Sequence, residues 1–372
     1  MTHKNTIFFL VFLFIFAIAI LAAYMGGLFL PQASVVSPHI VPLSSDSRSI
    51  ASTHSYPFGQ EMITITVPVS DAVYQGAKLA VKDVTIYGNI SEFTWVTESY
   101  HSMINDPAQE DLYQALLKEF RKIKTEKGLS DDQYLELITT FVQSLRYETL
   151  ADNPAKFPVE TVVDGSGDCD DKSLLLAGLL SREGYRIALM SFRPEEHMAV
   201  GIAADDYLYK NSNYSYIETT NISFVGVPAS TLLGGRTLQS NPVIIPIGNG
   251  TKIYTGGKET RSINSAYIQS EQIVKELEPQ IISLEADLKT RQERITQLES
   301  QMQSMKGSGN TLNYNAQVPV HNGLVADYNA NLSTYRTLFS RYEKAVQVHN
   351  YILNHNFDRS GVYEYIQQNL PL

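Results

Sequence analysis

The stretch from Pro158 to Tyr185 limits what this chain can fold into more than any other. It reads Pro158-Val159-Glu160-Thr161-Val162-Val163, then the turn-forming cluster Asp164-Gly165-Ser166-Gly167. Asp168-Cys169-Asp170-Asp171-Lys172 follows, and then an apolar run from Ser173 to Leu180 closed by Gly184. An Asp just before a helical apolar run, with a second acid three residues on, is an N-cap with its capping-box partner. The spacing therefore predicts a helix that begins at Cys169, the only cysteine among 372 residues. A thiol in a first helical turn faces unpaired backbone N–H groups and the positive end of the dipole. That setting favours the thiolate, which is the nucleophilic form.

A lone cysteine is otherwise a small buried hydrophobe, so its context decides. Two strand-like runs follow the helix, Arg186 to Phe192 and His197 to Ala203, and a third spans Tyr214 to Thr219. His197 opens the second run and Glu218 lies in the third. A Cys at a helix start, a His on a strand and a carboxylate on a neighbouring strand follow the order of a Cys-His-acid triad. In such a triad the imidazole accepts the thiol proton and the acid fixes its tautomer.

These residues resemble the transglutaminase-like superfamily. The resemblance rests on Gly167-Asp168-Cys169-Asp170-Asp171 with Leu174, Leu175 and Leu176, on Phe157-Pro158-Val159-Glu160-Thr161 upstream, and on Gly184-Tyr185 and His197 downstream. It is closest to the microbial transglutaminase-like cysteine peptidases and covers roughly Ser130 to Thr220, a quarter of the chain. It implies a papain/transglutaminase-like α+β core in which a Cys-bearing helix packs against an antiparallel sheet. Cys169 would be the nucleophile, His197 the base and Glu218 the orienting acid. The family more often has Asp at the third position, and Glu is one methylene longer.

At the amino end, Ile7 to Leu30 contains no charged residue and is dominated by Phe, Ile, Leu and Ala. A bilayer core needs about 20 apolar residues in a helix, whereas a cleaved signal peptide has an apolar core of about 7 to 15. The run continues past Ala22-Ala23, which favours an uncleaved signal anchor over cleavage there. Lys4 precedes it, and the next Lys or Arg is Arg48, so the amino terminus is expected in the cytoplasm and the rest outside the cell membrane. One cysteine forms no internal disulfide, and five Asn-X-Ser/Thr sites (Asn89, Asn213, Asn221, Asn249, Asn331) all follow the apolar run. A net charge of −10 argues against nucleic acid as a partner.

Between the anchor and the Cys motif, Pro31 to Tyr56 is rich in Ser, Pro and Val without a period and reads as a linker. Met62 to Val69 alternates as a strand does; Lys82 to Tyr87 and Glu92 to Val96 are further strand candidates. Asp106-Pro107 predicts a helix start, Gly128 its end, and Ser130 with Gln133 a second start. Gln143 and Tyr147 are candidates for oxyanion binding beside the Cys169 backbone N–H, although a packed or exposed polar role is the simpler reading. The acids Asp164, Asp168, Asp170 and Asp171 offer oxygen ligands for calcium but lack EF-hand spacing. Capping and solvation account for them more simply, so no cofactor is expected and calcium remains a secondary option.

The last hundred residues carry a different period. Val274, Leu277, Ile281, Leu284, Leu288, Ile295, Leu298, Met302 and Met305 recur at alternating spacings of three and four, interrupted at Arg291. After a break expected over Gly307 to Gly323, Leu324, Tyr328, Tyr335, Leu338, Tyr342, Ala345, His349 and Ile352 continue it. Two arms around one break predict an antiparallel coiled-coil hairpin, with a coiled-coil partner or self-association as the alternative. The expected organisation is a membrane helix (1–30), a linker (31–56), a transglutaminase-like domain (57–262) and the hairpin (263–372). The expected function is a membrane-anchored extracytoplasmic cysteine peptidase or amide hydrolase acting on protein or peptide through a thioester. An amine acceptor would make it a transferase instead. The alternative is a non-catalytic scaffold whose coiled coil mediates assembly at the cell surface.

Overall fold

The apolar run at the amino end forms helix α1 (Thr2–Met25) in the computed structural model. The structure describes residues 2–25, 33–43, 48–149, 154–229, 231–232 and 235–372. The side chains of α1 from Ile7 onward lie almost entirely exposed, and the helix is long and apolar enough to cross a membrane or to serve as a signal sequence. The remainder is α+β.

Strand β1 (Ser34–Val36) and the ten-residue strand β2 (Ser49–Phe58) lie where a linker was expected. The reason lies in pairing. β2 is antiparallel to β3 (Glu61–Ser70) along its whole length, through a turn at Gly59-Gln60. One face of the hairpin buries Tyr56, Phe58, Ile63, Ile65, Val67 and Val69. The other carries the cross-strand hydroxyl pairs Thr53–Thr66 and Ser55–Thr64 at 2.9 and 2.8 Å. The hairpin thus crosses the domain boundary expected at residue 56. Helix α2 (Asp71–Leu79) follows, and β4 (Thr85–Tyr87) pairs with β1. The strand expected over Glu92 to Val96 is instead the start of helix α3 (Glu92–Ile104), because the Ser91 side chain accepts from the Thr94 N–H and caps it.

A 3-10 turn capped by Asp106 leads into α4 (Glu110–Lys127), which ends at Gly128 with φ of 63°, the left-handed conformation that glycine adopts freely. Helix α5 (Asp131–Ser144) opens with the reciprocal Ser130–Gln133 capping box. β5 (Arg146–Tyr147), α6 (Pro158–Asp164) and β6 (Ser166–Gly167) bring the chain to α7 (Cys169–Arg182). Strands β7 (Ile187–Phe192), β8 (His197–Ala203), β9 (Tyr214–Ile217) and β10 (Val243–Ile247) form an antiparallel sheet of order β10-β7-β8-β9. Leu174, Leu175 and Leu176 of α7 share one core with Leu189, Val200, Ile202 and Ile217. The opposite sheet face buries Met190, Phe192, Ala199 and Tyr216 against Tyr209. At Gly178 a Cβ would fall 2.2 Å from the Tyr113 hydroxyl, so α4 and α7 approach only over a glycine.

The carboxy-terminal region is helical throughout. α8 (Gly257–Gly307) and α9 (Thr311–Asn354) are joined by a turn of three residues, and α10 (Arg359–Asn369) folds back on their base. The broad break expected over residues 307–323 is therefore confined to residues 308–310, and Pro319 lies inside α9. Ser270–His349, Asp287–Asn331 and Glu299–His321 contacts at 3.4, 2.6 and 3.0 Å show the two long helices running antiparallel. Ile273, Leu277, Ile281, Leu288, Ile295, Leu298 and Met302 are buried along α8. Arg291, the interruption in that stripe, bonds Asp287 at 2.6 Å and faces Asp327 at 3.7 Å across the pair. At the base, Arg359 of α10 binds both Glu136 of α5 and Glu259 of α8, while the Tyr254 hydroxyl donates to Glu136 at 2.8 Å.

Candidate active site

Cys169 is the first residue of α7, and the local sequence places it there by the cap. The Asp168 side chain accepts from the N–H groups of Asp170 and Asp171 at 3.0 and 3.1 Å, and Asp171 accepts in return from the Asp168 N–H at 3.1 Å. Asp171 also holds the Lys156 N–H at 2.6 Å, which ties the segment before α6 to the helix start. Asp164, by contrast, binds Tyr74 and Lys156 on the outside of the fold. The acids considered as calcium ligands are thus taken up by four separate tasks: capping, bracing, surface pairing and, for Asp170, contact with the thiol.

Cys169 and His197 line one cleft of about 280 Å³, together with Tyr100, Tyr147, Asp170 and Arg193. The cysteine is 9% exposed and the histidine 7%, so each presents a small surface at the floor of the cleft. The thiol donates to Asp170 Oδ1 at 3.5 Å. Burial pushes the Cys169 thiol up, and the Asp170 carboxylate pushes it further, against a smaller opposing effect from the Met198 backbone. The helix start therefore does not yield the easily ionised thiol that the sequence suggested. Desolvation and a like charge outweigh the half-charge of the helix end. Burial, with Asp168 nearby, also lifts Asp170 to about 6.

Glu218 follows directly on β9 and is 1% exposed. Its Oε1 accepts from the Thr219 N–H, the Thr220 N–H and the Thr220 hydroxyl at 2.9, 2.9 and 2.7 Å. Its Oε2 lies 3.5 Å from His197 Nε2 and accepts from the Tyr216 hydroxyl at 2.6 Å. Tyr216 Oη in turn lies 2.9 Å from His197 Nε2. Burial alone would raise Glu218; the imidazole of His197 close by, the Tyr216 hydroxyl and the Thr220 N–H outweigh it and hold the carboxyl at about 2. The structure thus brings Cys169 and His197 to one cleft and His197 and Glu218 to one hydrogen-bonded group, with a phenol between the last two.

Two residues of this group escaped the sequence reading. Tyr216 precedes Glu218 by two, in a run the sequence reads as one strand, so the two share a face; that was the available signal. Lys172, one turn beyond Cys169, is fully buried. It donates to the carbonyls of Gln143, Leu145 and Thr220 at 3.0, 2.7 and 3.3 Å. Its burial lowers it to about 8. Gln143 donates to the carbonyls of Glu218 and Ser223 at 2.8 and 3.0 Å. It braces the acid's loop and is not among the residues that line the cleft, whereas Tyr147 is. Comparison with family models, curated proteins and solved structures found no match to this chain.

Proposed function

We propose that this chain is a transglutaminase-like cysteine enzyme, held outside the cell membrane by α1, that hydrolyses amide bonds in proteins or peptides. The observation that carries this reading is the shared cleft of Cys169 and His197, with His197 Nε2 linked through the Tyr216 hydroxyl to the buried carboxylate of Glu218. A structural histidine on an apolar sheet has no need of an ionised partner, whereas a general base does. Because burial and Asp170 keep the thiol protonated at rest, deprotonation accompanies attack. Sγ bonds to the carbonyl carbon as its proton passes to the free nitrogen of His197. The Cys169 backbone N–H, at the helix start, faces the developing oxyanion. Collapse breaks the C–N bond, His197 returns the proton to the leaving nitrogen, and a thioester remains. Water then attacks, giving one proton to His197 and its oxygen to the acyl carbon; the C–S bond breaks and the thiolate takes the proton back. In this proposal α8 and α9 form a coiled-coil hairpin that carries reach or docking and no chemistry.

The experiment is to incubate the full-length chain in detergent or vesicles with candidate cell-surface proteins and to map new termini by mass spectrometry. New termini that vanish in both Cys169→Ala and His197→Ala support hydrolysis, and new isopeptide bonds would point to transfer. The raised thiol favours one second reading, a non-catalytic scaffold built around the hairpin. Indistinguishable product maps for the wild type and both variants, across the substrates tried, would favour it.

A further inference from the structure

We propose that Tyr216 is a positioning residue of the triad, whose phenol decides which nitrogen of His197 carries the proton. This rests on the catalytic reading above for its consequence, though not for its geometry. Glu218, as a carboxylate, only accepts hydrogen bonds. Its Oε1 is filled by three donors from Thr219 and Thr220, so the group cannot turn, and Oε2 is left for the phenol at 2.6 Å. The phenol has a single proton, and that proton is committed to Glu218. Toward His197 its oxygen therefore only accepts, and the 2.9 Å contact requires an N–H at Nε2. Nδ1 is then the unprotonated nitrogen and the one able to receive the thiol proton. The direct His197–Glu218 distance of 3.5 Å is long for a hydrogen bond, so the phenol makes the stronger link.

The surroundings fit this role. Gly201 is the partner of Tyr216 across β8 and β9, where a larger side chain would collide with Tyr214 and Met190. The ring is held by Phe192 and Tyr209, with centroids 6.1 and 5.6 Å away, and is wholly buried. Two short residues, Ala199 and Gly201, lie on the β8 face that bears His197, which leaves room for an aromatic ring between base and acid.

The test is Tyr216→Phe in the full chain, with Glu218→Gln as a second variant that disturbs the same chain of bonds with different packing. Nitrogen-15 shifts of labelled histidine, assigned to His197 by loss in His197→Ala, report the tautomer whether or not a substrate is known. The wild type is expected to show the Nε2–H form, and Tyr216→Phe a mixture or the Nδ1–H form. Alkylation of Cys169 at neutral pH should slow about 10- to 100-fold in Tyr216→Phe, the size of one hydrogen bond to a charged group. The loss in the double variant should be less than the product of the two single losses. An unchanged tautomer with unchanged alkylation in a folded Tyr216→Phe protein would overturn the proposal while leaving the hydrolase reading intact. An Nε2–H wild type that cleaves nothing would sink the hydrolase reading alone.

Discussion

Replacing Asp170 by Asn removes a negative charge 3.5 Å from the Cys169 sulfur at almost unchanged volume. A unit charge at that distance is worth about 5 kcal/mol at an effective dielectric of 20 and about 1 kcal/mol in bulk water. Asp170 is half-buried, so the true value lies between these limits. With about 1.4 kcal/mol per pKa unit, the thiol should ionise roughly 1 to 3 pH units lower in Asp170→Asn. The assay is the rate of iodoacetamide alkylation of Cys169 from pH 5 to 9, with the modified peptide counted by mass spectrometry. Because Asp170 itself titrates at about 6, the two profiles should converge below that pH and separate above it, the variant reacting faster. Superimposed profiles from pH 6 to 9, in a variant that melts as the wild type does, would refute the electrostatic account of this thiol.

Three further outcomes follow from the same contacts. Lys172→Met should leave the carbonyls of Gln143, Leu145 and Thr220 without their donor. At about 1–3 kcal/mol per orphaned group, urea denaturation should show a loss of at least about 3 kcal/mol. Arg359→Ala strips the buried partner from Glu136 and Glu259; a loss of about 3–5 kcal/mol should appear together with faster proteolysis between β10 and α8. Asp170 is raised in the folded state, so its contribution to stability is present below its unfolded value and fades as pH rises through about 6. Wild type should therefore lose stability relative to Asp170→Asn as pH rises from 4 to 7, by about 3 kcal/mol at most, read from paired melting curves.

The elements that the sequence disclosed are those whose ends are marked by side-chain chemistry. Asp106, Gly128, Ser130 with Gln133, and Asp168 with Asp171 each close a hydrogen bond within a few residues, so a local reading finds them. The alternating run over Met62 to Val69 lies within β3 for the same local reason. What escaped depends on distant partners. Ser49 to Tyr56 has no clear period, and its strand exists because β3 offers a matching edge. Glu92 to Val96 is β-rich by composition, yet the Ser91 cap prevails. The stretch from Gly307 to Gly323 suggested a broad break, but α9 starts at Thr311 and runs through Pro319 alongside α8. At the site, residue type and order pointed to Cys169, His197 and Glu218. The dielectric around the thiol, the phenol of Tyr216 and the buried Lys172 depend on how a sheet and two helices close over one another, and no spacing rule carries that.

The most direct measurement is single-turnover acylation of Cys169 by an activated ester or peptide thioester, followed as a mass shift on the Cys169 peptide. If the sulfur and imidazole work as one unit with the buried acid, His197→Ala should acylate at least about 100-fold more slowly than wild type at pH 7, and Glu218→Gln should fall between them. Equal rates in all three folded proteins would mean that the cleft holds an ordinary cysteine beside an ordinary histidine.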